Sequence, residues 1–143
     1  MKFLHITDSH GTVKGPEGRK DVYYITFLKK LYELNKVVQH FGIDAVIHTG
    51  DLFHSARVSN KFAGQVSELI KAMGVDFYVV PGNHDIEGYT VDTIDQTMLG
   101  LMAKTGVVKL LTRETPVQFL AKQNGEEFTI GVHLLIDYRR LSG

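Results

Sequence analysis

Aspartate, asparagine and histidine gather in three short clusters of this chain, TDSHG at residues 7–11, TGDLFH at 49–54 and PGNHD at 81–85. Each lies at the end of a β-prone apolar run, FLHIT, DAVIH and DFYVV in turn. Asp8, His10, Asp51, Asn83 and His84 should therefore emerge at strand ends, and the crevice beyond the carboxyl ends of an open α/β sheet is where ligands bind. The chemistry these side chains share is metal binding. Asp8 and His10 are two residues apart, so in an extended chain both side chains leave on one side and can grip one cation. Asp51 follows a glycine that permits a tight turn, and its two carboxylate oxygens can bridge two cations about 3.5 to 4 Å apart, the spacing that stabilises both oxygens of an in-line phosphoryl displacement. Asn83 offers an amide oxygen and His84 an imidazole, beside a glycine that allows close backbone approach. Alone, each cluster reads as a turn: Asp-x-His as a turn aspartate with a surface histidine, Gly-Asp as a turn and helix cap, Asn83 as a left-handed turn residue. Their recurrence after three strands argues for a site.

Mixed oxygen and nitrogen ligands without sulfur suit Mn²⁺ first, with Fe or Zn²⁺ as alternatives, better than a calcium cage. The reaction such a site favours is hydrolysis of a phosphate ester. His84 could instead stand just outside the metal shell and protonate the leaving oxygen or stabilise its charge.

The elements that must position these residues follow from hydrophobic spacing. Residues 2–7 read as a buried first strand. Tyr24, Leu28, Leu31, Leu34, Val38 and Phe41 recur at three-to-four spacing and predict a helix over about residues 21–40, stopped by Gly42. Residues 44–48 form a second strand. Ser59 can cap a helix whose Phe62, Val66, Leu69, Ile70 and Met73 make one face, ended by Gly74. A third strand covers 76–80, a third helix 91–104, and a fourth strand 107–111. Beyond Pro116 the pattern changes to an antiparallel pair around Asn124 and Gly125, residues favoured in a type I′ hairpin turn. The expected fold is α/β, a β-α-β-α-β-α-β half followed by a hairpin of a second sheet, in one domain without internal repeats.

Composition sets the limits. The 143 residues carry sixteen basic and sixteen acidic side chains and no cysteine. Thiolate catalysis, disulfides and thiolate-bound zinc are excluded. Neutral net charge gives no support for a basic nucleic-acid module, although bound divalent cations can supply a local positive field for a polyanion. No stretch approaches the roughly 20 apolar residues of a membrane helix, and the N-terminus carries no signal-peptide pattern. The expectation is a cytoplasmic protein without membrane contact.

With Asp8-x-His10, Gly50-Asp51 and Gly82-Asn83-His84-Asp85 present in order, the sequence resembles the calcineurin-like metallophosphoesterase superfamily, whose motifs are DxH, GDxx and GNH[DE]. Within it, GDLFHSAR with FLHITDSH and VVPGNHD is most similar to the nuclease subunit of SbcCD-type double-strand-break-repair complexes, phage versions included. The resemblance covers about residues 1–111. It implies an α/β/β/α sandwich and two divalent metal ions. It also implies metal ligation by Asp8, His10, Asp51 and Asn83 with Asp51 bridging, and a transition-state or acid role for His84. His54 matches a histidine near the scissile phosphate. Arg57 is a candidate phosphate contact. The function implied is a DNA exonuclease and endonuclease of repair or recombination, acting with an SbcC-type SMC-like ATPase, with homodimerisation of the full-length protein as a further expectation.

The sequence departs from that pattern in three places. Gly11 and Thr12 follow His10 where leucine and glycine are usual, and Val58 stands where proline is common. The superfamily also completes its site with a later histidine and a GHxH element, and no HxH occurs here. The expectation is accordingly that residues 1–143 are the N-terminal part of a single nuclease domain, with His133 the candidate for a further metal ligand. Two alternatives stand beside the nuclease: a phosphodiesterase or phosphatase for a small ester, and a noncatalytic fragment that lacks the last ligands.

Overall fold

A computed structural model describes residues 1–14, 22–112, 117–123 and 126–132. Strand β1 (Phe3–Ile6) leads to helix α1 (Tyr23–Phe41), β2 (Ala45–His48), α2 (Asn60–Ala72) and β3 (Asp76–Val79), then to a 3₁₀ segment (Val91–Gln96), α3 (Met98–Lys104) and β4 (Lys109–Leu110). The four strands form one parallel sheet in the order β1-β2-β3-β4, with Phe3 opposite Ala45, Ala45 opposite Asp76 and Tyr78 opposite Lys109. Sequential order and parallel direction require a crossover between each pair of neighbours, and crossovers share one hand. The helices therefore lie on one face of the sheet.

Alternation along the strands divides the sheet residues between two faces. Leu4, Ile6, Val46, Phe77 and Val79 join Phe27, Leu31 and Val38 of α1 and Phe62, Val66 and Ile70 of α2 in the main core. Phe3, Ala45, Ile47, Tyr78 and Val80 make a smaller apolar cluster with Leu111 on the opposite face. Val66 and Val46 are fully enclosed, and a side chain of this size contributes about 1.5–3 kcal/mol by leaving water. His48 is on the core side and has no exposed surface. His5, although it too lies within a strand, is exposed on β1 with Nε2 2.8 Å from the Thr49 hydroxyl.

Helix ends follow the local chemistry. Gly42 takes a left-handed conformation, φ 60°, and its N–H meets the Val38 carbonyl. The Ser59 hydroxyl accepts from the Phe62 N–H at 3.2 Å, and so caps α2.

The expected continuous third helix is broken. Thr97 is extended and caps α3 by accepting from the Gly100 N–H at 3.1 Å, while the Thr93 hydroxyl accepts from the Thr90 N–H at 2.9 Å. Threonine hydroxyls compete with the helix for its backbone groups. Gly100 also packs so closely on Ile94 that an added Cβ would run into its carbonyl. The fourth strand is shorter than expected, because only Lys109 and Leu110 pair with β3. Strands β5 (Val117–Gln123) and β6 (Glu126–Val132) form the antiparallel pair, with Gln123 opposite Glu126 and thus a two-residue connection. Asn124, Gly125 and His133 lie outside the described residues. Among those described, no helix is long and apolar enough to cross a membrane.

Candidate metal centre

All three sequence clusters sit at the carboxyl edge of the parallel sheet, and the loops after β1 and β2 continue the sheet's side-by-side course beyond the strands. The N–H groups of Asp8, His10 and Gly11 donate to the carbonyls of Gly50, Asp51 and Leu52 at 3.0, 2.9 and 2.8 Å, and the His54 N–H returns to Gly11 at 3.0 Å. Within this ladder three side-chain-bearing residues have positive φ: Asp8 at 49°, His10 at 47° and Asp51 at 54°. A non-glycine residue held there costs of order 1–3 kcal/mol, and such strain collects at functional sites. The expectation that Asp8 and His10 converge through extended chain is thereby corrected. Left-handed backbone at both positions brings them together, because the ladder to the second loop fixes their N–H groups.

The result is a tight group. His10 Nε2 lies 3.7 Å from Asp8 Oδ1 and 3.8 Å from Asp51 Oδ2, beyond hydrogen-bond reach. The ligand atoms of Asp8, His10 and Asp51 all fall within 4.8 Å of one another, and so do those of His10, His54 and His84. Two bonds of about 2.1 Å to a shared cation, opened to a tetrahedral angle or somewhat wider, span roughly 3.4–3.8 Å. Carboxylate oxygens and an imidazole nitrogen at these separations fit a divalent ion. The Thr7 hydroxyl donates to the other Asp8 oxygen at 2.6 Å.

The third loop wraps the same carboxylate. The His84 N–H donates to Asp51 Oδ1 at 2.9 Å, and Gly82 lies so close that a Cβ there would strike both the Asp51 side chain and its backbone nitrogen. Asn83, exposed between these two contacts, is not among the positive-φ residues, so the left-handed-turn explanation for it does not apply. His84 Nδ1 is 3.0 Å from the His54 carbonyl oxygen. A carbonyl only accepts, so Nδ1 carries the hydrogen and Nε2 of the neutral ring keeps its lone pair. The His84 ring stacks on His54 at 4.9 Å and meets His10 edge-on at 5.0 Å. Arg57 is exposed and donates through Nε and Nη2 to the Tyr89 hydroxyl at 3.0 and 2.7 Å.

Asp85, the last residue of the third cluster, has no exposed surface and accepts from the N–H groups of Leu52, Phe53 and Gly82 at 3.2, 2.9 and 3.0 Å. It ties the second loop to the third. Burial raises its pKa, the three backbone donors pull it back, and the Asp51 charge raises it further. Burial also lowers the pKa of His48 to about 4 against the opposing pull of Asp8 and Asp51. Sequence reasoning missed two hydroxyl anchors. The Ser9 side chain meets His48 Nε2 at 2.8 Å, and the Tyr23 hydroxyl donates to the carbonyls of Ser9 and His10 at 3.2 and 3.1 Å. The one sequence signal for His48 was a polar residue in an otherwise apolar strand.

A groove of about 620 Å³ opens beside this centre, running from Thr7, Asp8 and Ser9 past Tyr23 and Phe27 to Leu34. No curated protein matches the chain. The calcineurin-like phosphoesterase family profile, in contrast, matches residues 1–130, a span that contains all three loops, the whole parallel sheet and all but the last two residues of β6, and the chain belongs to that family.

Proposed function

We propose that the chain is the nuclease part of a DNA repair or recombination enzyme, hydrolysing DNA phosphodiesters with Asp8, His10, Asp51 and Asn83 as ligands of two divalent cations, Mn²⁺ before Fe or Zn²⁺. The convergence of Asp8, His10 and Asp51 on left-handed backbone carries this reading. When bound, the cations neutralise phosphate oxygens and supply the nucleophile at neutral pH. Asp51 would hold a cation through Oδ2, the oxygen that faces His10, while the His84 N–H holds Oδ1. His84 Nε2, freed by the Nδ1 bond to the His54 carbonyl, donates to a phosphate or leaving oxygen when it bears a second proton. His54, whose ring stacks on that of His84 at 4.9 Å, would contact the same phosphate in this reading. His133 would add a further ligand, and Arg57 would meet a neighbouring phosphate by leaving Tyr89. The partner in this reading is an SbcC-type SMC-like ATPase, and the compartment is the cytoplasm.

The test is Mn²⁺-dependent degradation of linear duplex DNA, compared with turnover of small diesters and monoesters. DNA shortened in an Asp51-dependent manner supports the nuclease. A second reading, a phosphodiesterase for a small ester, draws on the adjoining groove, whose 620 Å³ lies in the usual range for small-ligand pockets. Small diesters turned over while DNA stays intact would favour it. Absence of Asp51-dependent hydrolysis on every substrate would favour the noncatalytic fragment.

A further inference from the structure

Ser9 separates Asp8 from His10, and its side chain is the one in that turn anchored to the sheet. Its hydroxyl lies 2.8 Å from His48 Nε2 and 3.1 Å from the Leu52 carbonyl oxygen. A serine hydroxyl has a single hydrogen and a carbonyl can only accept. Ser9 therefore donates to Leu52 and accepts from His48, whose Nε2 carries the ring proton. The opposite arrangement would place an N–H on His48 Nδ1, which is buried without a partner. The arrangement chosen leaves only a lone pair there.

The position of His48 is otherwise apolar. It shares the core side of β2 with Val46, beside Phe77 and Val79 of β3, and its ring stacks on Phe77 at 6.4 Å. An aliphatic side chain would fill the space without desolvating a ring nitrogen, so packing alone gives no reason for histidine. The bond to Ser9 gives one. The residues on either side of Ser9 hold φ values of 49° and 47°, and strained backbone persists only where its surroundings over-determine it. Backbone bonds to Gly50 and Asp51 restrain the N–H groups on either side of Ser9, and Tyr23 restrains two carbonyls of the turn. His48 restrains its centre from a rigid central strand.

We infer that His48 is a positioning residue for the cation-binding turn, holding Ser9 from within the core and so fixing the backbone that aims Asp8 and His10 at one point. This rests on the reading of Asp8 and His10 as cation ligands.

The experiment is calorimetric titration of Mn²⁺ into the wild-type chain and into Ser9→Ala, His48→Leu, the double variant and His48→Gln, with thermal midpoints recorded for each. A glutamine amide reaches the place of Nε2 and can donate to Ser9. Ser9→Ala and His48→Leu should each weaken Mn²⁺ binding about 10–100-fold, as loss of an outer-shell partner does. The double variant should be no weaker than either alone, and His48→Gln should recover most of the affinity. Unchanged affinity in Ser9→Ala and His48→Leu, or losses that simply add in the double variant, would overturn the inference while leaving the ligand reading intact. A wild-type chain that takes up no Mn²⁺ would remove both. Should His48→Leu fail to fold, Ser9→Ala and the ring nitrogen shifts of metal-free wild type decide: a proton on Nε2 supports the inference, and a proton on Nδ1 contradicts it.

Discussion

Asp51, in the second loop, meets both of the others: its backbone carbonyl accepts from His10, Oδ1 accepts from His84, and Oδ2 faces the His10 ring. Replacing it with alanine should lower hydrolysis by more than the roughly 10–100-fold typical of losing an outer-shell partner, measured as initial rate at saturating Mn²⁺. His48 makes a prediction of a different kind, because its folded pKa is depressed from 6.5 to about 4. Between those values the unfolded chain binds a proton that the folded chain does not, so stability from this residue is complete above pH 6.5 and is lost as pH falls toward 4. The loss amounts to about 3 kcal/mol across the window. Urea unfolding of His48→Gln from pH 7 to 4 should show a flatter stability profile than wild type. An equally steep profile would place the acid-sensitive group elsewhere. The residue types at the site were legible in the sequence, because aspartate, histidine and asparagine at strand ends have few other uses in such numbers. Ser9 and Tyr23 were not, since a hydroxyl acquires its role only from the distant group it meets.

The loops act as elements through Asp85, whose buried carboxylate gathers N–H groups from two of them. Asp85→Asn keeps the size but turns an amide NH₂ toward backbone donors. Stability should fall by about 1–3 kcal/mol for the stranded groups, and Mn²⁺ affinity should fall with it. Calorimetric unfolding and titration check the two effects. Gly82→Ala tests the same junction from the backbone side. Its Cβ would strike Asp51, so metal binding should weaken even where the fold survives. The strands and first two helices were readable from periodicity and from the stop signals Gly42 and Gly74. Residues 91–104 were not, because their hydrophobic spacing runs through Thr97 without revealing that its hydroxyl starts a new helix. The left-handed residues at Asp8, His10 and Asp51 were equally hidden. Asparagine and glycine announce such backbone in a sequence, whereas these conformations are imposed by hydrogen bonds to another loop.

At the scale of the molecule, a sheet ordered β1-β2-β3-β4 places three successive loops at one edge, and the site is the product of that order. The motif-bearing loops lie on adjacent strands, so cation binding should brace much of the parallel sheet at once. Mn²⁺ at a hundred times its dissociation constant should add about 2.7 kcal/mol and raise the thermal midpoint by roughly 5–10 °C for a chain of this size. The rise should vanish in Asp51→Ala. The alternation of strands and helices and the shared edge for the three loops were legible in the sequence, whereas the order of the strands within the sheet was not, because the same alternation serves doubly wound orders. The most direct measurement is anomalous scattering at the manganese edge from crystals grown with Mn²⁺. A peak within bonding distance of Asp8, His10 and Asp51 is the predicted result, and fully occupied manganese elsewhere with none among these three would contradict the account.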